Sequence, residues 1–125
     1  MKPPVEHVKV SAKGRDILIK VKRNTGLEYW NEVCRIAFCR SLANPNPPPA
    51  RSRGVDSNID MDWKVFAGQY QELYAASFII RAGRDGIDIA NQESVADYFR
   101  NILERGILSL RETKNINDLL KKTIR

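Results

Sequence analysis

His7 is the only histidine in the 125-residue chain, and Ser11 and Asp16 follow it closely enough to raise the question of a nucleophile, base and acid set. Such a set is defined by geometry, and the surrounding residues have the pattern of a strand followed by a helix cap, so no catalytic residue is assigned. Asp56, Asp60 and Asp62 form an acidic group that could hold Mg²⁺ and polarise a phosphoryl oxygen for phosphodiester cleavage. A simpler account makes them helix caps that complement the positive end of the helix dipole, and no metal ligand is assigned. Cys34 and Cys39 lie in an apolar segment without CxxC spacing or accessory ligands, and both are expected to be buried free thiols. Gly83 and Gly86 do not follow a strand, and no GxxxxGK[ST] phosphate loop occurs. No cofactor is implied.

The cations carry more information. The chain has 21 Lys and Arg against 15 Asp and Glu, a net charge of +6. Residues 1 to 60 hold a net +5, from eleven cations and six anions, whereas residues 61 to 125 hold a net +1, from ten and nine. A clustered basic surface gains affinity for a polyanion by releasing counterions from phosphate, so nucleic acid is the expected partner. The alternative is a solvated basic surface with no partner. The candidate phosphate-binding residues are Lys13, Arg15, Lys20, Lys22 and Arg23, with Lys9, Arg51 and Arg53 as secondary candidates.

These residues must be positioned by a single small domain, since a chain of this length seldom divides into two cores. Alternation over 5–10 predicts a short strand, and with no second convincing strand, pairing with the same strand of another subunit is expected. Ser11 is placed to cap a helix over 12–23, whose core arc is Gly14, Ile17, Leu18 and Val21; Ile19, on the polar side, suggests a second contact surface. Asn24-Thr25-Gly26 ends it. A helix over 28–42 is apolar almost all round, so it should be central, with its second apolar face packed on another subunit. Arg40 and Ser41 are expected to meet its own last carbonyls.

A proline-rich loop over 43–60 follows. A third helix over 62–81 carries Trp63, Phe66, Tyr70, Leu73 and Ser77 as a core stripe, capped by Asp60 or Asp62. A fourth over 94–112, opened by Ser94, buries Val95, Phe99, Ile102, Leu103, Gly106 and Leu110, with Arg100, Glu104, Arg105 and Arg111 mostly outside. Gly106 in mid-helix suggests a close helix contact. The segment 115–125 is a short docking helix or a tail. The expected fold is thus mainly α, with four helices behind a short N-terminal strand. No apolar run approaches the roughly 20 residues of a bilayer-spanning helix. Met1-Lys2-Pro3-Pro4 lacks the character of a secretory signal, so a cytoplasmic location is expected.

The order of strand, capped helix, Thr25-Gly26 turn and apolar helix resembles the ribbon-helix-helix unit, in which two chains pair their strands. Within that frame, Arg35-Ile36-Ala37-Phe38-Cys39-Arg40-Ser41 resembles the most characteristic stretch of the DndE family of DNA sulfur-modification (phosphorothioation) proteins. Gly106-Ile107-Leu108-Ser109-Leu110-Arg111 and the Lys20-x-Lys22 pair are also similar to segments of that family. The resemblance covers nearly the whole chain. It implies a non-catalytic subunit of the system that replaces a non-bridging phosphate oxygen of DNA with sulfur. It further implies a homotetramer that binds duplex DNA, notably nicked duplex, and associates with ATPase and sulfur-transfer subunits, with a cysteine desulfurase upstream. The rival functions are a ribbon-helix-helix regulator reading base edges through His7 and Lys9, a metal-dependent nickase built on the aspartates, and a scaffold that never touches DNA.

Overall fold

The computed structural model describes residues 2–50 and 54–123. The fold is mainly helical. Strand β1 (His7–Ser11) buries Val8 and Val10 and turns His7 and Lys9 outward. It starts two residues later than alternation alone suggests. Its partner lies in the same chain: β2 (Asp56–Asp62) pairs with it antiparallel, His7 opposite Asp62, Val8 opposite Met61 and Lys9 opposite Asp60. The expected pairing with a second subunit is therefore replaced by an intramolecular ribbon. Strand β2 escapes notice in the sequence because Asp and Asn disfavour strands and only Ile59 and Met61 mark its inner face. The predicted 43–60 loop accordingly ends before Asp56.

Helix α1 (Ala12–Thr25) begins as expected, with the Gly14 N–H donating to Ser11 Oγ at 2.9 Å. It ends two residues past the expected limit at Gly26, whose φ of 80° only glycine adopts cheaply. Gly14, Leu18 and Val21 are buried and Ile17 and Ile19 half-buried. Helix α2 (Trp30–Ala43) is central, but helices of its own chain cover its faces: α1, α3 (Trp63–Ala67), α5 (Gln92–Ser109) and α6 (Ile116–Thr123) all pack on it. These contacts leave Ile36 and Leu42 half-buried and Cys39 exposed. Glycine at 106 permits the closest of these contacts, since a Cβ there would lie 1.9 Å from the Ala37 carbonyl oxygen.

The expected third helix is broken. Gly68, at φ 62° and ψ −136°, stops α3, a 3₁₀ turn (Gly68–Tyr70) follows, and α4 (Gln71–Arg84) resumes in another phase. Trp63 and Phe66 join Phe38, Phe78 and Phe99 in an aromatic core, with Phe38 and Phe66 edge to face at 5.5 Å. Tyr70 and Leu73, placed in that core by the unbroken-helix pattern, are exposed after the break, and Ala75, Phe78 and Ala82 are buried instead. Asp62 occupies the cap position of α3 without a side-chain cap bond.

In α5 every predicted core residue is buried, joined by Tyr98 and Ile107; Leu110 falls just beyond the helix. Asn91 rather than Ser94 caps it, accepting from the Ser94 N–H at 3.1 Å. The charged residues of α5 are less free than amphipathicity predicts. Glu104 accepts from Ser11 N–H at 3.0 Å and Ser11 Oγ–H at 2.7 Å, tying β1 to α5. Arg105 donates to Ser41 O at 2.7 Å, and Arg81 to Leu42 O at 2.9 Å and Asn46 O at 2.7 Å, so the start of the proline-rich stretch is fastened to α4 and α5. Arg40 serves Ser109 O at 3.2 Å and Leu119 O at 3.5 Å rather than its own helix. Cys34 is buried, but Cys39 is exposed, its Sγ 3.8 Å from Tyr74 Oη.

Candidate nucleic-acid interface

Helix α1 sorts its cations into two groups. At about 100° per residue, Lys13, Lys20 and Arg23 share the outward arc with Asp16, opposite the side that buries Leu18. All three are exposed, and among the described residues none forms an ion pair. Arg15 and Lys22 occupy another flank and are half-buried. Lys22 Nζ lies 3.9 Å from the centre of the Trp30 ring, a cation–π contact that anchors it. Arg15 Nε is buried with no hydrogen-bond partner. The five candidates therefore do not form one continuous patch: three make an outward row and two support its neighbouring flank.

Folding adds a cation that no local pattern reveals. Asn24 Nδ2–H donates to Thr113 O at 3.0 Å, which brings the exposed Lys114 to the C-terminal end of α1 from 89 residues away. Lys22 and Arg23 also complement the negative end of the α1 dipole, a stabilising role compatible with facing an anion. Arg51 and Arg53 lie outside the described residues.

The ribbon presents the opposite charge. His7 Nδ1 is 3.0 Å from Asp60 Oδ1 and 3.6 Å from Asp62 Oδ1, and Lys9 is the cross-strand neighbour of Asp60. A base-reading role for His7 and Lys9 would press Asp60 and Asp62 against phosphate. Asp56, at the other end of β2, receives Arg100 Nη2. Asp60 and Asp62 thus share His7 while Asp56 pairs with Arg100, and no group of His, Cys, Asp and Glu able to hold a metal ion occurs among the described residues.

Strongly shifted titrations lie in the interior, away from the α1 row. Burial, reinforced by the Glu104 charge, pushes the Cys34 thiol up to about 12. Burial and the hydrogen bond to Asp85 push the Tyr98 phenol up to about 12. Burial alone would raise Asp85, but hydrogen bonds from Tyr98 and Arg81 and the charges of Arg81 and Arg84 hold it below the usual carboxylate range. These groups serve the core.

The described molecule is a small, mainly helical protein with an intramolecular β ribbon and an outward row of unpaired cations on its first helix. A family model described as DNA sulphur modification protein DndE matches residues 7–118, from the first residue of β1 into α6. The chain belongs to the DndE family. No curated protein matches it. No helix among the described residues is long and apolar enough to cross a membrane.

Proposed function

We propose that the chain is a non-catalytic, DNA-binding subunit of a DNA sulfur-modification system, gripping duplex and nicked duplex DNA through the basic surface of α1. Membership of the DndE family supports a role in DNA sulfur modification. The observation that carries the binding reading is the row Lys13, Lys20 and Arg23, exposed and without acidic partners among the described residues. Contacts of this kind position a phosphate backbone without reading bases, so sequence choice would rest with partners or with the shape of a break in the DNA. Sulfur chemistry would belong to the associated ATPase and sulfur-transfer subunits.

Self-association into a tetramer in the cytoplasm completes the reading. Its support is the outward face of α4, where Leu73 and Ile80, seven residues apart, are 64% and 72% exposed, with the exposed Tyr70 just before the helix. Copies joined there would multiply the cationic rows available to one duplex.

Anisotropy titrations of the full chain against intact and nicked duplexes of several sequences test this reading. Binding should vary little with sequence, weaken steeply with salt, and be at least as strong on nicked DNA. Binding confined to one sequence and indifferent to nicks would favour the regulator, and absence of binding at low salt would favour the scaffold. Conversion of supercoiled to open-circular plasmid in Mg²⁺, lost in Asp60→Ala, would favour the nickase.

A further inference from the structure

Strand β1 has one edge that pairs with β2 and one that no described strand covers. Its even-numbered residues turn their backbone to β2, since Glu6 O accepts the Trp63 N–H at 2.9 Å and Val10 O accepts the Ser57 Oγ–H at 2.7 Å. Backbone groups alternate in direction along a strand, so His7, Lys9 and Ser11 turn theirs to the opposite edge. That edge faces α5, because the Ser11 N–H donates to Glu104 Oε2 at 3.0 Å. The backbone N–H and C=O groups of His7 and Lys9 have no such partner among the described residues.

A cleft of about 450 Å³ lies here, lined by His7 and Lys9 on the strand side and by Ala96, Phe99 and Arg100 on the α5 side. Contacts between strand and helix bound it at both ends: Gln92 Nε2–H donates to Pro4 O at 2.8 Å before the strand, and Glu104 holds Ser11 after it. Between those ties the stretch from Val5 to Lys9 is open, about 13 Å at roughly 3.3 Å per residue. Unpaired groups on a strand edge are a template for a further strand, which satisfies them and sends alternate side chains into the adjoining cleft.

The charges around the cleft select the occupant. Lys2, Lys9 and Arg100 line it with Glu6 and Asp56, and Asp56 is engaged by Arg100, so the two lysines outnumber the one remaining acid. The β1 strand of a second copy would bring another Lys9 against these cations, and like charges across a strand pair are unfavourable. We propose that the cleft between β1 and α5 receives a short, extended, acidic segment of a partner protein as a third strand of the ribbon. Apolar residues of that segment lie against Ala96 and Phe99, and its carboxylates reach Lys2 and Lys9. None of the outward cations of α1 used for the DNA-binding reading, Lys20 and Arg23 included, lines this cleft, so the two readings stand or fall separately.

The test is an NMR titration of the isotopically labelled full chain with a capped hexapeptide alternating Glu and Val. The peptide should shift the His7 and Lys9 amide resonances and slow their hydrogen exchange about tenfold. Its counterpart alternating Lys and Val should bind about tenfold more weakly. The Glu and Val peptide N-methylated at alternate residues, on the edge that meets β1, should not bind, because it has lost its donors. Ala96→Glu, which puts bulk and negative charge in the cleft, should also abolish binding, with its melting temperature reporting that the fold persists. Absence of any shift, equal binding of the two peptides, binding that survives N-methylation, or shifts that leave His7 and Lys9 unmoved overturns the proposal. Protection of those two amides in the free chain that grows with protein concentration also overturns it, and assigns the edge to a second copy.

Discussion

Cys34 and Cys39 are five residues apart on one helix and meet opposite environments. Cys34 is sealed among Val33, Ala37 and Phe38, and burial keeps its thiol protonated up to about 12. At pH 8, iodoacetamide should alkylate Cys39 in the folded chain and spare Cys34, with both modified in denaturant; mass spectrometry of the peptides reads the difference. The Arg81–Asp85–Tyr98 network predicts how stability follows pH. Arg81 and Asp85 side chains are only 5% and 7% exposed, with Nε to Oδ2 at 2.7 Å. Asp85 is depressed in the fold, so its contribution is complete above the unfolded carboxylate value and is lost as pH falls through the folded one. Tyr98 is raised from 10.0 to about 12, so stability should also decline as pH climbs between those values. Denaturant midpoints across pH should show both limbs, and Tyr98→Phe should remove its share of the alkaline one. Local sequence patterns mark few of these residues. Cys39 sits in an apolar run that looks buried, and the Glu104–Ser11 tie spans 93 residues.

The elements themselves were more legible. The capped start of α1, its glycine stop and the buried face of α5 follow directly from short-range spacing, because caps and amphipathic faces are local properties. Strand β2 did not follow, since its outer face is acidic and its pairing depends on β1, some 50 residues earlier. The Gly68 break was equally hidden. A glycine inside an apolar period is usually tolerated, yet here the chain needs a positive φ to redirect α4 after Trp63 and Phe66 enter the core. Gly106, by contrast, was readable as a contact point, and it leads to a sharp expectation. Gly106→Ala places a methyl group against the Ala37 carbonyl, at a cost of about 1–3 kcal/mol from overpacking, set against the small gain in helix propensity. Urea unfolding should show a lower midpoint; an unchanged or higher one would mean that α2 and α5 separate freely.

At the scale of the described molecule, α1 and the ribbon differ in charge. Helix α1 carries the unpaired row, while the ribbon sets His7 and Lys9 against Asp60 and Asp62. The cationic candidates were legible as residue types, but their division into an outward trio and a half-buried pair was not, because it depends on Trp30 and the packing around α1. The apolar face of α4 became visible only once the Gly68 break had changed the helix phase. If copies assemble there, Leu73→Glu with Ile80→Glu should convert the assembly to monomers in analytical ultracentrifugation without lowering the melting temperature of the single fold. Retention of the wild-type assembly would move the interface elsewhere.

The most direct measurement is the salt dependence of affinity for a mixed-sequence duplex, compared among the wild-type chain, the triple variant Lys13→Ala, Lys20→Ala, Arg23→Ala, and the double variant His7→Ala, Lys9→Ala. If the outward row of α1 holds phosphate, the triple variant loses about 0.9 unit of logarithmic slope for each contact removed, and the ribbon variant keeps the wild-type slope. A triple variant whose slope equals the wild type, or a slope lost only in the ribbon variant, would contradict the assignment of the interface to α1.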